Sequence, residues 1–241
     1  MIDKINVSAC ATCTVRDSSF CGALLDGSQP PPALPASALR QVHCTGSARD
    51  DIYRAKETTG DAHIVCHGWA ARSIRLADGR QQILSFLIPG DLVSATAPFS
   101  DSLEFSIQAI TELRYSLINR GDFVAALSRR SDLTDHWGSL YAAQQEQAHQ
   151  LIVGLGRRRA DVRVARLILH LKERLAARGL VNDQVFDFPL DEQHLSDALG
   201  LIPADVEREL DRFRTDALIE LAAGVMMIVN LSGLQRLAHM N

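Results

Sequence analysis

Between residues 64 and 118 the apolar positions come in short runs cut by turn signals. Ile64-Val65-Cys66 leads into Trp69-Ala70-Ala71-Arg72-Ser73-Ile74-Arg75-Leu76, where apolar and polar residues partly alternate. Ala77-Asp78-Gly79-Arg80 reads as a hairpin turn, followed by the apolar run Ile83-Leu84-Ser85-Phe86-Leu87-Ile88 and the breaker Pro89-Gly90-Asp91. A third strand region covers 105–118. Short strands with turn signals between them predict a compact antiparallel barrel or roll. The period changes near residue 132. Leu133, Trp137, Tyr141, Gln144, Ala148, Leu151 and Leu155 recur at spacings of four and three, one stripe on a long helix with Asp132 placed to cap it. Such a stripe suits the seam of a coiled-coil dimer; the alternative is packing against its own barrel. Gly154 and Gly156 predict an interruption there.

A second helix is expected over 157–178, ended by Gly179. Residues 190–201 read as a short helix ended by glycine, and Pro203 starts another that runs to about 214. Leu195, Leu199, Leu201, Val206 and Leu210 are its buried positions, Ser196 is small where the helices cross, and Gly200 fits the tight turn. This is the pattern of a helix-turn-helix. Leu218-Ile219-Glu220-Leu221, Ala222-Ala223-Gly224 and Val225-Met226-Met227-Ile228-Val229 then predict a hairpin, the wing of a winged helix. The chain is thus divided into an N-terminal segment and Pro-rich linker (1–48), a roll (49–131), a connecting helix (132–156) and a winged helix-turn-helix (157–241).

Composition narrows the function. The chain has 241 residues, 46% of them hydrophobic, enough for two modest domains. No apolar run reaches about 18 residues, so no membrane span is expected. Met1-Ile2-Asp3-Lys4-Ile5-Asn6 lacks the pattern of a signal peptide, which places the chain in the cytoplasm. A net charge of -4 gives no global attraction to nucleic acid, so DNA affinity needs a local basic patch. Arg157, Arg158, Arg159 and Arg163 open the most basic stretch and are the expected phosphate anchors. The helix after Pro203 is acidic instead: Asp205, Glu207, Glu209, Asp211 and Asp216 stand against Arg208, Arg212 and Arg214. A carboxylate in the major groove is repelled by phosphates unless it accepts from a cytosine amino group. Arg208 is expected to meet guanine and Asp205 or Glu207 to read cytosine, with Ala204 and Arg212 beside them. The acids can also pair along the helix, as Asp205–Arg208 and Glu209–Arg212.

The cysteines carry the remaining chemistry. Cys10-x2-Cys13-x7-Cys21 places three thiols in a polar stretch without helix or strand periodicity. Five cysteines without an export signal indicate a reducing compartment, where clustered thiols serve metals or catalysis. Zinc and iron–sulfur clusters both suit thiolates and both want four ligands. Cys66 is the first choice for the fourth and Cys44 the second. His63, His67 and Cys66 form a small group suited to haem as an alternative. The chain contains no P-loop, Gly-x-Ser-x-Gly or His-Glu-x-x-His, so no enzyme is expected.

From about residue 50 onward the chain resembles the CRP/FNR family of bacterial transcription regulators. The resemblance lies in Gly68-Trp69-Ala70-Ala71-Arg72, in Leu76-Ala77-Asp78-Gly79-Arg80-Gln81-Gln82-Ile83-Leu84-Ser85-Phe86-Leu87-Ile88-Pro89-Gly90-Asp91-Leu92-Val93, and in Leu195-Ser196-Asp197-Ala198-Leu199-Gly200-Leu201. It implies an α+β fold: an N-terminal double-stranded β-roll sensor domain, cyclic-nucleotide-binding-like, then a long dimerisation helix and a C-terminal winged helix-turn-helix. It also implies a homodimer acting on double-stranded promoter DNA and RNA polymerase, with no membrane partner. The N-terminal cysteines look like those of the FNR branch, where a [4Fe-4S] cluster holds the DNA-binding dimer together until oxygen degrades it. The chain departs from that pattern in two places. Ser116 stands where FNR proteins carry the fourth cysteine, which leaves Cys66, Cys44 or an oxygen ligand. In the second helix of the helix-turn-helix only Arg208 is kept from the family's recognition motif. The alternative is an interaction protein that no longer reads DNA. The stretch 94–101 lacks the arginine that holds a cyclic nucleotide, so that ligand is not expected.

Overall fold

The computed structural model describes residues 13–25 and 41–240, which form two compact units. The first comprises the described residues up to Ile74 together with Ser85–Glu146. It opens with α1 (Phe20–Leu25), followed by β1 (Gln41–Gly46), β2 (Asp51–Tyr53), β3 (Asp61–His67), β4 (Ala70–Arg75), β5 (Gln81–Leu87), β6 (Ser106–Ala109) and β7 (Leu113–Asn119). The strands make two sheets, β1-β7-β3 and β2-β6-β4-β5, with antiparallel pairing of β1 and β3 on β7 and of β2 and β4 on β6. Both faces of the β1-β7-β3 sheet are covered. Cys44, Val65, Leu113 and Tyr115 face the roll interior with Tyr53, Leu87 and Ile107. Ala62, Ile64 and Ile118 face a second core made by Phe20, Cys21 and Leu24 of α1, Phe123 and Ala126 of α2 (Arg120–Arg129), and Leu133. Coverage on both sides explains why Ala62-His63-Ile64-Val65 reads as an unbroken buried run rather than a clean alternation.

The roll extends beyond its expected start. β1 lies ahead of residue 49 and contributes the fully buried Cys44. α2 is capped by Asn119, whose Oδ1 accepts from the backbone N–H of Gly121 at 2.9 Å and of Asp122 at 3.3 Å. The long helix α3 runs unbroken over Ser131–Arg157, with Asp132 in its first turn. Gly154 and Gly156 do not interrupt it. A helical glycine costs about 1 kcal/mol but keeps its N–H and C=O, and Arg158 N still donates to Gly154 O at 3.2 Å. The break comes at Arg159, with φ −67° and ψ 160°.

The apolar stripe of α3 is partly covered and partly exposed. Leu133 is fully buried in the core beneath α1, Trp137 Nε1 donates to Ala95 O at 2.9 Å, and Gln144 accepts from Ala95 N at 3.1 Å and donates to Leu92 O at 3.2 Å. These residues make contacts with their own roll, the alternative to a dimer seam. Leu155 packs on the turn at Gly200, where an added Cβ would lie 2.7 Å from its Cδ2. Leu151 is half-buried. What remains exposed is Tyr141, Ala148, Ile152 and Val153, with Ile152 67% accessible.

The second unit joins Arg75–Leu84, the tip of the β4–β5 hairpin, to the chain from Gln147 onward. α4 (Ala160–Ala176) is its central helix and buries Val162, Ala165, Ile168, Leu171 and Leu175. β8 (Val185–Asp187), α5 (Glu192–Leu199), α6 (Pro203–Thr215), β9 (Ile219–Ala222), β10 (Val225–Ile228) and α7 (Leu231–Ala238) follow. α7 was not foreseen; Arg166 Nη1 donates to Ala238 O near its end at 3.3 Å. Within this unit Gln82 Nε2 donates to the carbonyls of Asp197 (2.8 Å) and Ala198 (3.2 Å), and Gln81 Nε2 to Asp197 Oδ2 (2.8 Å). No helix among the described residues is long and apolar enough to cross a membrane.

Candidate nucleic-acid interface

α5 and α6 form the helix-turn-helix. Asp191 caps α5, accepting from His194 N at 2.8 Å, while the His194 ring accepts from the Asp191 N–H. Gly200 ends α5 at φ +61°, and Ser196 Oγ closes the turn by donating to Leu201 O at 2.6 Å. Pro203 then starts α6. Val206, Glu209, Leu210 and Phe213 turn inward, which leaves Ala204, Glu207, Arg208 and Asp211 exposed on the opposite face. β9 and β10 pair as the expected wing, with Ala223 and Gly224 at positive φ in its turn. The wing carries no lysine or arginine.

Every arginine of α6 is paired with acid. Arg208 binds Asp205 at 2.6 Å and Glu209 at 3.3 Å, and both acids raise its pKa. Arg212 reaches Asp161 at 3.4 Å, Glu209 at 3.5 Å and Asp216 at 3.6 Å. Arg214 pairs with Asp211. Asp161 was not foreseen: it is 3% accessible at the start of α4, accepts from Arg159 at 2.9 Å, and ties α6 to α4 through Arg212. A lone acid at the head of a basic stretch is the only sequence signal for this bridge.

The expected phosphate anchors divide as well. Arg163 donates to the carbonyls of Arg158 (2.7 Å), Leu199 (3.0 Å) and Leu155 (3.1 Å), so it holds the helix-turn-helix rather than facing phosphate. Arg159 is paired with Asp161, and Arg158 bonds the side chain and carbonyl of Gln150. Arg157 is exposed and has no side-chain partner among the described residues.

Cys10 lies outside the described residues. Cys13 is half-buried, and Cys21 is 8% accessible on α1, packed in the core beside Ile64 and Leu133. Among the described residues no three His, Cys, Asp or Glu side chains gather as a metal site, so Cys66 does not join Cys13 and Cys21. Cys44 sits opposite Tyr115 in the β1–β7 register; burial and this thiol push the tyrosine up to about 12. Ser116 is fully buried, its hydroxyl without a hydrogen-bond partner. Thiolates suit a soft metal by type, but the described residues do not fit a closed four-ligand cage. His63 packs between Tyr53 and Tyr115, each ring 6.2 Å away, and burial lowers its pKa. His67 is exposed, because a register shift between Val65 and His67 breaks the alternation. Among the described residues His63, Cys66 and His67 do not gather as one ligand group. In the stretch 94–101, the hydroxyls of Ser94 and Thr96 bond each other at 2.7 Å within their own turn.

Residues 162–237 match the family described as Crp-like helix-turn-helix domain, and residues 47–130 match that described as cyclic nucleotide-binding domain. The nitrogen fixation regulation protein FixK of Bradyrhizobium diazoefficiens is 27% identical over 95% of this chain and 93% of its own. The transcriptional activator protein FnrL of Cereibacter sphaeroides is 25% identical over 91% of this chain and 87% of its own. The solved structure of FixK2 from Bradyrhizobium japonicum superposes with a TM-score of 0.75, covering 84% of this chain and all of that one at 23% identity, a likeness of fold.

Proposed function

Because the chain belongs to the CRP/FNR family of transcription regulators, which dimerise on promoter DNA and are not enzymes, we propose that it is a cytoplasmic promoter-binding regulator responding to oxygen or redox state at its N-terminal cysteines. The DNA-binding function rests on the exposed face of α6 in an intact helix-turn-helix. The sensing function is supported by Cys10-x2-Cys13-x7-Cys21 and by the place of Cys21. That residue is seated with Phe20 and Leu24 against Leu133 at the root of α3, and Arg130 donates to Leu24 O at 3.4 Å. A change of state at these thiols alters how α1 is held against the helix that leads into the DNA-binding unit. A [4Fe-4S] cluster is the cofactor the thiol spacing suits, with zinc as the alternative. The homodimer forms through Tyr141, Ala148 and Ile152, and RNA polymerase is the downstream partner.

The test is promoter-fragment binding by protein purified without oxygen, before and after exposure to air, together with iron and sulfide content. Cys10→Ser, Cys13→Ser and Cys21→Ser should each lose most of the iron, since a hard hydroxyl replaces a soft thiolate. Identical binding in air and without it, by protein that contains no iron, overturns the sensing half of the proposal and leaves the DNA-binding half standing.

A further inference from the structure

On α6 the acids Asp205, Glu209 and Asp211, and Asp216 at its C-cap, each pair with an arginine. Glu207 is the exception. It is exposed, and no cation partners it among the described residues. It lies on the outward face with Ala204, Arg208 and Asp211, opposite the buried Val206, Leu210 and Phe213. An unpaired carboxylate on this face meets phosphate repulsion when the helix enters a major groove. One edge in that groove offers it an amino donor without a competing acceptor, the N4 of cytosine. Resting on the DNA-binding reading above, we propose that Glu207 is a specificity residue that selects a cytosine next to the base pair met by Arg208.

Asp205 and Glu209 have a different role. They hold one N–H on each terminal nitrogen of Arg208, at 2.6 and 3.3 Å. A guanidinium has five N–H groups, so three remain to meet guanine from a fixed orientation. Asp205 is therefore a positioning residue for Arg208, not a second reader of cytosine.

The experiment is selection of bound sequences from a library of palindromes with randomised half-sites, using the full chain handled without oxygen. The wild type should prefer cytosine at one position of each half-site by about 10- to 100-fold. E207Q should move that preference to adenine, the base whose edge glutamine matches. E207A should abolish it at that position alone and leave the neighbouring guanine selected. If E207A keeps every wild-type preference, or gains affinity equally for all sequences, Glu207 is only a repelled surface charge and the assignment fails. A wild type that selects no sequence above random DNA overturns the promoter-binding reading itself, and the Glu207 assignment falls with it.

Discussion

His63 shows how burial decides what a side chain does. Desolvation between two tyrosine rings outweighs the favourable charge of Asp61, so its folded pKa lies below the ordinary 6.5. His43 is shifted the same way by burial and Arg114. Below the ordinary value the unfolded chain binds more protons than the folded one, so stability falls as pH drops through 6.5. Urea midpoints between pH 7.5 and 5.5 should decline, and His63→Asn should make the decline shallower, by at most about 1.4 kcal/mol per pH unit. The arginines divide by role in the same manner. Arg208→Ala should cost about 1–3 kcal/mol on the cognate site and relax one base pair per half-site. Arg157→Ala should weaken cognate and random DNA alike and lower the salt slope by about one. Filter binding across a salt series separates the two outcomes. That Arg208 lies on the outward face of α6 was legible, because Val206 and Leu210 take the buried positions. The role of Arg163 was not, because a guanidinium that serves a carbonyl 36 positions away looks the same in sequence as one that serves a phosphate.

At the level of elements, periodicity and turn residues located β3 to β7, α3, α4, the helix-turn-helix and the wing, but not β1, β2, β8 or α2. Short elements escaped it. α1 has six residues and α7 eight, too few turns for a stripe to declare itself. The phase of α3 also escaped. Trp137 and Gln144 each combine apolar bulk with a donor, so they fit a seam by spacing, yet both spend their polar groups on backbone of the roll. The exposed residues Tyr141, Ala148 and Ile152 keep spacings of seven and four along the adjoining edge of the same stripe, with the Tyr141 ring 6.1 Å from that of Trp137. Ile152→Glu should therefore give monomers in sedimentation by setting like charges across that face. Leu133→Ala should leave association intact and instead destabilise the fold by about 2–5 kcal/mol, read as a lower melting temperature.

At the scale of the whole molecule, the order of roll, connecting helix and winged helix was legible because each part has its own pattern. The thiols are not brought together among the described residues: Cys10 lies outside them, and Cys13, Cys21 and Cys66 do not gather. The total of -4 does not show how the charges are arranged: acids and arginines pair on α6, while Arg157 has no side-chain partner among the described residues. The C-terminal unit is also discontinuous in the chain, since the hairpin tip that supplies Gln81 and Gln82 belongs to it. Gln82 precedes its acceptors on α5 by 115 and 116 residues. At a synthesis rate of about 5–20 residues per second, the hairpin leaves the ribosome roughly ten seconds before α5 exists. A nascent chain thus carries its hairpin tip unclasped for that interval. The fragment 147–241, made without the hairpin, should show faster amide exchange in α5 than the full chain; equal exchange would mean the helix needs no clasp.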